Sequence, residues 1–252
     1  MLSKILDNDG LIIDIFISDK CNLECTYCSV NNNNSFSFDK IKIDKIVLLL
    51  QKNTKIQNVN ILGGEPTLNE NLIYFIEQLY EIEHILNIFL YTNLFHFKDF
   101  FTPNKKLNIV CTYHFEKDYK KQFKLNFEKI VRSGIEVTAQ LIFQHNTTFP
   151  ADIPFVVIPL IDNNNPLYFL KLKKFAMKNN FRVENFKKFS AKNLRCEMRN
   201  FEIKDNSLIS SCEKIIYKEN VKNIKELSTI YQNCKNCDYQ YCNLFNKYKG
   251  SA

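Results

Sequence analysis

Short apolar runs alternate with segments of helical period along residues 11–180 of the chain. Six runs have the length and the apolar, often β-branched content of buried strands. They cover residues 11–18, 58–64, 85–92, 107–113, 135–143 and 155–161. Between most of them, apolar residues recur at spacings of three and four, which predicts helices. The helical segments cover residues 38–53, 71–83, 118–134 and 165–180.

Residues at the ends of the helical segments support these bounds. Asp39 lies at the start of the first segment and Asn69 precedes the second, and their side-chain oxygens can cap a helix. Gly134 can close the third because glycine adopts the left-handed conformation without strain. Pro166 fits the first turn of the fourth. Alternation of strands and helices predicts an α/β fold with a parallel sheet, either an open doubly wound sheet or a partial barrel.

Polar and small residues follow four of the predicted strands. A cysteine-rich loop follows the first strand, Gly63 and Gly64 follow the second, Thr92-Asn93 end the third, and Tyr113-His114 end the fourth. The carboxyl ends of parallel strands meet at one edge of the sheet, where such folds place their chemistry. We therefore expect all four features on the same rim.

The pattern changes near residue 181. Periodicity fades and cysteines accumulate towards the carboxyl end. A segment this short buries little apolar surface, and a metal would supply the missing stability. The predicted domains are residues 1–184 and a small metal-stabilised unit over residues 185–252.

Composition narrows the class of protein. The chain has 45% hydrophobic and 24% charged residues and a net charge of +7, which is ordinary for a globular protein. No apolar stretch approaches the ~20 residues of a membrane span, and the amino terminus lacks a signal core. The basic runs lack the aromatic-basic signatures of RNA modules, which argues against a nucleic-acid partner. We expect a cytoplasmic protein.

Nine cysteines in 252 residues are too few for a disulfide scaffold, which has roughly 8–10%. Cys21, Cys25 and Cys28 lie within eight residues. Three thiolates on one loop suit an iron–sulfur cluster with one open iron, which can bind the amine and carboxylate of a small molecule. Zinc is the alternative, but a structural zinc site needs a fourth ligand. The next histidine, His84, lies at the end of the second predicted helical segment, far from the strand ends.

Two motifs resemble the radical SAM superfamily. They are Cys21-x3-Cys25-x-Tyr27-Cys28 after the first strand and Gly63-Gly64-Glu65-Pro66 after the second. The resemblance spans roughly residues 11–180. It implies a partial (β/α)6 radical SAM barrel whose 4Fe–4S cluster reductively cleaves S-adenosylmethionine (SAM). The resulting 5′-deoxyadenosyl radical would abstract a hydrogen atom from the substrate.

The resemblance also implies roles for these residues and others. The glycines would let backbone approach the methionine part of SAM, Glu65 would pair with its ammonium, and Tyr27 would rest against the adenine. Thr92-Asn93 match the start of the family's Thr-Asn-Gly, although Leu94 replaces the glycine. Further SAM contacts are expected, to the ribose or the carboxylate, from Thr112, Lys124 and Gln140.

Two residues near the fourth strand are interpreted separately. His114 lies on the rim, where it could contact the substrate or exchange protons. Cys111 is expected to be a small buried thiol because its side chain should point opposite to that of Thr112.

A second cysteine group occupies the carboxyl-terminal unit. Four thiolates suit either zinc or an iron–sulfur cluster. Two widely spaced cysteines followed by a CxxC pair, after such a barrel, resemble the twitch unit, a shortened SPASM domain with one auxiliary 4Fe–4S cluster. The expected ligands are Cys196, Cys212, Cys234 and Cys237, with Cys242 as a further candidate.

The expected substrate class follows from the length of the chain. The first ligand is at position 21, and the length resembles that of a compact aminocyclitol dehydrogenase of this superfamily. This favours oxidation of a small polar, sugar- or cyclitol-like molecule, with flavodoxin or ferredoxin as reductant and the auxiliary cluster accepting the substrate electron. Modification of a peptide side chain is the alternative. A non-catalytic metal-binding module, with or without RNA, is a different class that also stays open.

Overall fold

A computed structural model of the chain describes two sets of residues. The first set covers the predicted barrel: 10–28, 36–96, 103–115, 118–143, 148–150, 152–158 and 166–183. The second set is a series of strand segments: 194–198, 200–204, 207–210, 218–220, 230–234 and 247–249.

Seven neighbouring strands of one parallel sheet form the body of the structure. They are β1 (Leu11–Phe16), β2 (Ile56–Leu62), β3 (Asn87–Thr92), β4 (Leu107–Tyr113), β5 (Glu136–Ile142), β6 (Phe155–Ile158) and β7 (Arg182–Val183). Helices lie between several of them: α1 (Lys40–Lys52), α2 (Leu72–Tyr80), α3 (Lys120–Ser133) and α4 (Pro166–Lys178). The sheet runs in sequence order from β1 to β7, which confirms the predicted partial βα barrel.

Three of the four predicted helix ends are confirmed. The carboxylate of Asp39 accepts a hydrogen bond from the backbone N–H of Lys42 at 2.8 Å. Gly134 ends α3 in the left-handed conformation, with φ of 78°. Pro166 is the first residue of α4. The prediction for Asn69 was wrong, because α2 begins after Asn71 and Asn69 instead holds the preceding turn.

The two faces of the sheet have different surroundings. The face turned to the helices carries a continuous apolar core that includes Ile13, Ile61, Leu90 and Ile109. The inner face carries a separate, smaller cluster of Ile12, Phe89 and Val110 with Tyr91 packed against it. Alternation along each strand assigns residues to the two faces.

The chain beyond residue 184 forms further strands, which the fading periodicity did not predict. They are β8 (Leu194–Met198), β9 (Asn200–Lys204), β10 (Ser207–Ser210), β11 (Lys218–Asn220), β12 (Ile230–Cys234) and β13 (Lys247–Lys249). Strand β9 pairs in parallel with β1 and continues into β10 and β11, so it extends the barrel sheet. Strands β12, β8 and β13 form a separate three-stranded sheet. The domain boundary at residues 184 and 185 stays a prediction.

Among the described residues, no helix is long and apolar enough to cross a bilayer.

Candidate functional site

The cysteine loop joins β1 to the segment before α1. Cys21 and Cys25 are half-buried, Cys28 is exposed, and all three are in the thiol form. The backbone N–H of Leu23 donates to the Cys21 sulfur at 3.4 Å. Burial raises the pKa of Cys21, and the Leu23 N–H opposes this effect. Within the described residues, no three His, Cys, Asp or Glu side chains are grouped to hold a metal ion.

The glycine turn after β2 packs directly against this loop. The N–H of Gly64 donates to the carbonyl of Ser18 at 2.9 Å, and the N–H of Glu65 donates to that of Lys20 at 2.7 Å. A Cβ on Gly64 would lie 2.5 Å from the Lys20 carbonyl oxygen and 2.7 Å from that of Asp19. The turn therefore requires glycine because two backbone segments meet there. Contact with the methionine part of SAM stays a prediction for both glycines.

We expect Gly64→Ala to displace the cysteine loop. The neighbouring atoms are backbone and cannot rotate away, so the free energy of unfolding should fall by about 2–3 kcal/mol. Urea unfolding of the apoprotein and iron content after reconstitution are the two measurements. Lys20→Ala is the matched control, because it changes an exposed side chain on the same loop and leaves the backbone contact intact. Equal stability and iron content in both variants would contradict this account of the turn.

The Glu65 carboxylate ties the glycine turn to the end of β3. It is buried, with 1% of its surface exposed. It accepts hydrogen bonds from the N–H and hydroxyl of Thr67 at 3.0 and 2.6 Å. It also accepts from the Thr92 hydroxyl at 2.8 Å and the Asn93 N–H at 2.6 Å. Burial raises the pKa of Glu65, and these four donors oppose that shift. Pairing with the SAM ammonium stays a prediction.

The Thr92-Asn93-Leu94 segment keeps a glycine-like backbone. Leu94 has φ of 58°, the left-handed region that glycine adopts at low cost. Its N–H donates to the Thr92 hydroxyl at 3.0 Å, and its side chain is buried. The Nδ2 of Asn93 donates to the side-chain Oδ1 of Asn22 at 2.8 Å. The segment thus links the third strand to the cysteine loop.

His114 lies beside the cysteine loop. Its Nδ1 is 2.8 Å from the Tyr27 hydroxyl and 3.4 Å from the Cys25 sulfur. The Tyr27 and His114 rings are parallel within 2°, with centroids 6.0 Å apart, and Phe115 stacks on Tyr27 at 5.5 Å. With these contacts the structure brings all four predicted rim features together. Catalysis by His114 and adenine contact by Tyr27 stay predictions.

Two buried residues of this rim were missed by the sequence analysis. The Tyr119 hydroxyl donates to the backbone carbonyl of Asn93 and accepts from the backbone N–H of His114, both at 3.1 Å. Asn126 donates to the Leu94 carbonyl at 3.0 Å. Asn126 lies at a core-facing position of α3, beside Phe127. A polar residue in an apolar helix stripe was the available signal for it.

The remaining predicted contacts divide into two groups. Thr112 and Gln140 occupy paired positions on β4 and β5, and both are partly exposed. Lys124 lies on α3, where its ammonium pairs with the Asp152 carboxylate at 2.5 Å.

Cys111 is fully buried in the core between sheet and helices, and burial raises its pKa well above that of an ordinary thiol. Its prediction as a buried thiol is confirmed.

The second cysteine group is described in part. Cys196 lies in β8 and Cys234 in β12, adjacent antiparallel strands in which Cys196 pairs with Gln232 and Cys234 with Leu194. The two positions are therefore offset by two residues along the ladder. The other three candidates, Cys212, Cys237 and Cys242, lie outside the described residues.

The chemistry of the first loop fits a bound iron–sulfur cluster. Thiolate sulfurs are the ligands of such clusters, and a backbone N–H to a ligating sulfur is one way of tuning them. Asn22, next to Cys21, has a buried Nδ2 without a hydrogen-bond partner, so the loop retains an unused donor. Cys21, Cys25 and Cys28 are the residues that would hold the cluster.

Comparison with known proteins agrees with the radical SAM resemblance found in the sequence. A family model described as the radical SAM superfamily matches residues 15–116, which contain the cysteine loop, the glycine turn and the end of β3. This match and the fold support the radical SAM superfamily for the barrel part of the chain.

Particular relatives share that same region. A GTP 3′,8-cyclase of Clostridium perfringens (strain SM101 / Type A) is 35% identical over 94 residues, which is 34% of this chain and 29% of the relative. One of Petrotoga mobilis is 30% identical over 95 residues, 35% of this chain and 29% of the relative. The matched segment thus spans under a third of the length of these curated relatives.

Solved structures share the fold over a longer stretch. Streptococcus suis SuiB, crystallised with S-adenosylmethionine, aligns with a TM-score of 0.59 at 15% identity, covering 86% of this chain and 65% of SuiB. The protein anSMEcpe, with bound AdoMet and a peptide, gives 0.59 at 15% identity, covering 86% and 78%. At this identity the likeness concerns the fold.

Proposed function

We propose that this chain is a radical SAM enzyme that abstracts hydrogen from a small polar substrate, with net oxidation as the outcome. The observation that carries the proposal is the presence of three cysteines, Cys21, Cys25 and Cys28, on one rim loop. That loop is held by backbone hydrogen bonds to the Gly63-Gly64 turn and by Asn93 at the end of β3. When bound by these thiolates, a 4Fe–4S cluster supplies the electron that cleaves SAM to methionine and a 5′-deoxyadenosyl radical.

The residues of the chain position the reactants. Gly63 and Gly64 hold the loop close to β2, and Glu65 fixes the turn against β3. Thr112 and Gln140 offer side-by-side hydrogen-bonding groups for the SAM ribose on the inner face. His114 supports the loop through Cys25 and Tyr27. Positioning of this kind accelerates a reaction by holding reacting atoms in place.

The carboxyl-terminal cysteines are proposed to hold an auxiliary 4Fe–4S cluster that takes the electron from the substrate radical. Cys196 and Cys234 on neighbouring strands support this proposal. We expect a Cys196→Ala/Cys234→Ala variant to lose about half of its iron, from about eight to about four per chain. It should still release 5′-deoxyadenosine. Iron and labile-sulfide assays after anaerobic reconstitution check this, and an unchanged iron content would contradict it.

The substrate class rests on the inner face of the sheet. Thr138 is partly exposed there, beside the proposed ribose contacts Thr112 and Gln140, and a polar surface of this kind suits a hydroxyl-rich sugar- or cyclitol-like molecule. A peptide side chain is the alternative substrate. Flavodoxin or ferredoxin is the proposed reductant.

The test is SAM cleavage by the anaerobically reconstituted protein. With dithionite as the reductant, we expect 5′-deoxyadenosine release, measured by liquid chromatography, and faster release with a mixture of sugars and cyclitols than with a peptide mixture. Faster release with the peptides would favour the alternative substrate. Stoichiometric zinc without any nucleoside release would contradict the enzyme proposal and favour a metal-binding module.

A further inference from the structure

Asn93 is held at the end of β3 by hydrogen bonds to all of its polar atoms. Its backbone N–H donates to a Glu65 carboxylate oxygen at 2.6 Å, and its backbone carbonyl accepts from the Tyr119 hydroxyl at 3.1 Å. Its side-chain Oδ1 accepts from the backbone N–H of Phe95 at 2.9 Å, which distinguishes the two ends of the amide. The Nδ2 of Asn93 is therefore the donor to the Oδ1 of Asn22, at 2.8 Å.

This bond determines the orientation of the Asn22 amide. Because the Oδ1 of Asn22 accepts from Asn93, the Nδ2 of Asn22 is directed away from Asn93. That Nδ2 is buried and has no hydrogen-bond partner in the part of the chain that the structure describes. A buried donor without an acceptor costs free energy, so native structures pair such groups. The rim thus holds one buried N–H group in a fixed direction, ready for an acceptor.

The Asn22 amide lies beside the first cysteine of the loop. The Cys21 sulfur is 4.0 Å from the Asn22 Oδ1 and accepts from the backbone N–H of Leu23 at 3.4 Å. A thiol can donate weakly to a carbonyl oxygen, whereas a metal-bound thiolate carries no proton and only accepts. The change from thiol to iron-bound thiolate therefore ends the donation to Oδ1 and leaves a negatively charged sulfur next to a buried N–H group.

We propose that the Nδ2 of Asn22 donates a hydrogen bond to a sulfur of the cluster, either the Cys21 thiolate or the sulfide next to it, and thereby raises the reduction potential of that cluster. The inference rests on the proposed function, because it requires the 4Fe–4S cluster of the cysteine loop. Hydrogen bonds to the sulfurs are among the factors that set the potential of a cluster. They favour the reduced state, because reduction adds negative charge to the sulfurs and strengthens each bond. Asn22 thus makes the cluster easier to reduce.

Replacing Asn22 with leucine removes the N–H donor and keeps a side chain of similar size. We expect the midpoint potential of the loop cluster to become more negative. At a fixed applied potential, the ratio of oxidised to reduced cluster should rise at least about threefold. The measurement is a redox titration of the reconstituted protein without SAM, followed by electron paramagnetic resonance. The signal that is absent from Cys25→Ala identifies the loop cluster.

Asn71→Leu is the matched control for this titration. Asn71 is also partly exposed, but it lies just before α2, where its side chain donates to the Phe38 carbonyl at 3.3 Å. The same substitution at this position should leave the midpoint potential of the loop cluster unchanged. An equal negative shift in Asn71→Leu and Asn22→Leu would overturn the inference, because the shift would not then depend on the Asn22 amide.

A second measurement starts from the unmodified protein. Protein produced with asparagine that carries ¹⁵N in its side-chain amide should show a nitrogen hyperfine coupling to the reduced loop cluster without SAM, and Asn22→Leu should lose it. No coupling in the labelled unmodified protein would overturn the inference, as would equal midpoint potentials in that protein and Asn22→Leu. A loop that binds no cluster in the unmodified protein would instead count against the proposed function.

Discussion

Replacing Cys25 with alanine is expected to reduce 5′-deoxyadenosine release to the background level. With two thiolates left on the loop, the cluster loses one of its three protein ligands. The iron content of the variant should fall by about four per chain, because only the auxiliary cluster would remain. The same result is expected for Cys21→Ala and Cys28→Ala. Iron analysis and chromatographic detection of the nucleoside are the measurements.

Cys111→Ala is the matched control for this experiment. Cys111 is a residue of β4 whose side chain is buried in the core, and it belongs to neither cysteine group. Its replacement should cost roughly 1 kcal/mol of stability, as expected for a small cavity, and leave iron content and nucleoside release unchanged. Undiminished release in any of the three loop variants would overturn the assignment of the loop.

Glu65→Ala is expected to lower the free energy of unfolding by about 2–4 kcal/mol. The carboxylate accepts two hydrogen bonds from Thr67 and two from Thr92 and Asn93 at the end of β3, and its removal leaves these buried donors unpaired. Urea unfolding of the apoprotein measures the effect in the absence of SAM, so the structural contribution is separated from any contact with the ammonium.

Glu70→Ala is the control for the Glu65 variant. Glu70 is an exposed carboxylate shortly after the same turn, and its removal should change stability by less than about 0.5 kcal/mol. Glu65→Gln should fall between the two, because the amide keeps the acceptor oxygen but presents an N–H group to one of the donors. Equal free energies of unfolding for Glu65→Ala and Glu70→Ala would contradict the stabilising role of the four hydrogen bonds.

The sequence predicted the barrel well because its strands are short apolar runs separated by clear turn and cap residues. The six predicted strands and four predicted helices are all present, with ends that differ by a few residues. The predicted strand ends also indicated which residues lie on the rim, because parallel strands place the loops that follow them at one edge of the sheet. The contact between His114 and the cysteine loop follows from that geometry.

The sequence did not predict which strands pair when they lie far apart along the chain. Strand β9 joins the sheet beside β1 although nearly 190 residues separate the paired positions. No local pattern specifies such a partner, because side-chain alternation gives the faces of a strand but not its neighbour. The roles of Tyr119 and Asn126 also depend on contacts between distant segments. The left-handed backbone at Leu94 was suggested only by the glycine that the motif has at that position.

The most direct test of the central claim is the electron paramagnetic resonance spectrum of the reduced, reconstituted protein with SAM labelled with ¹⁵N at its amino group. If Cys21, Cys25 and Cys28 hold a cluster with one open iron, the labelled nitrogen should show hyperfine coupling to the reduced cluster. That coupling should be lost in Cys25→Ala. A spectrum unchanged by SAM, with no nitrogen coupling, would contradict the account.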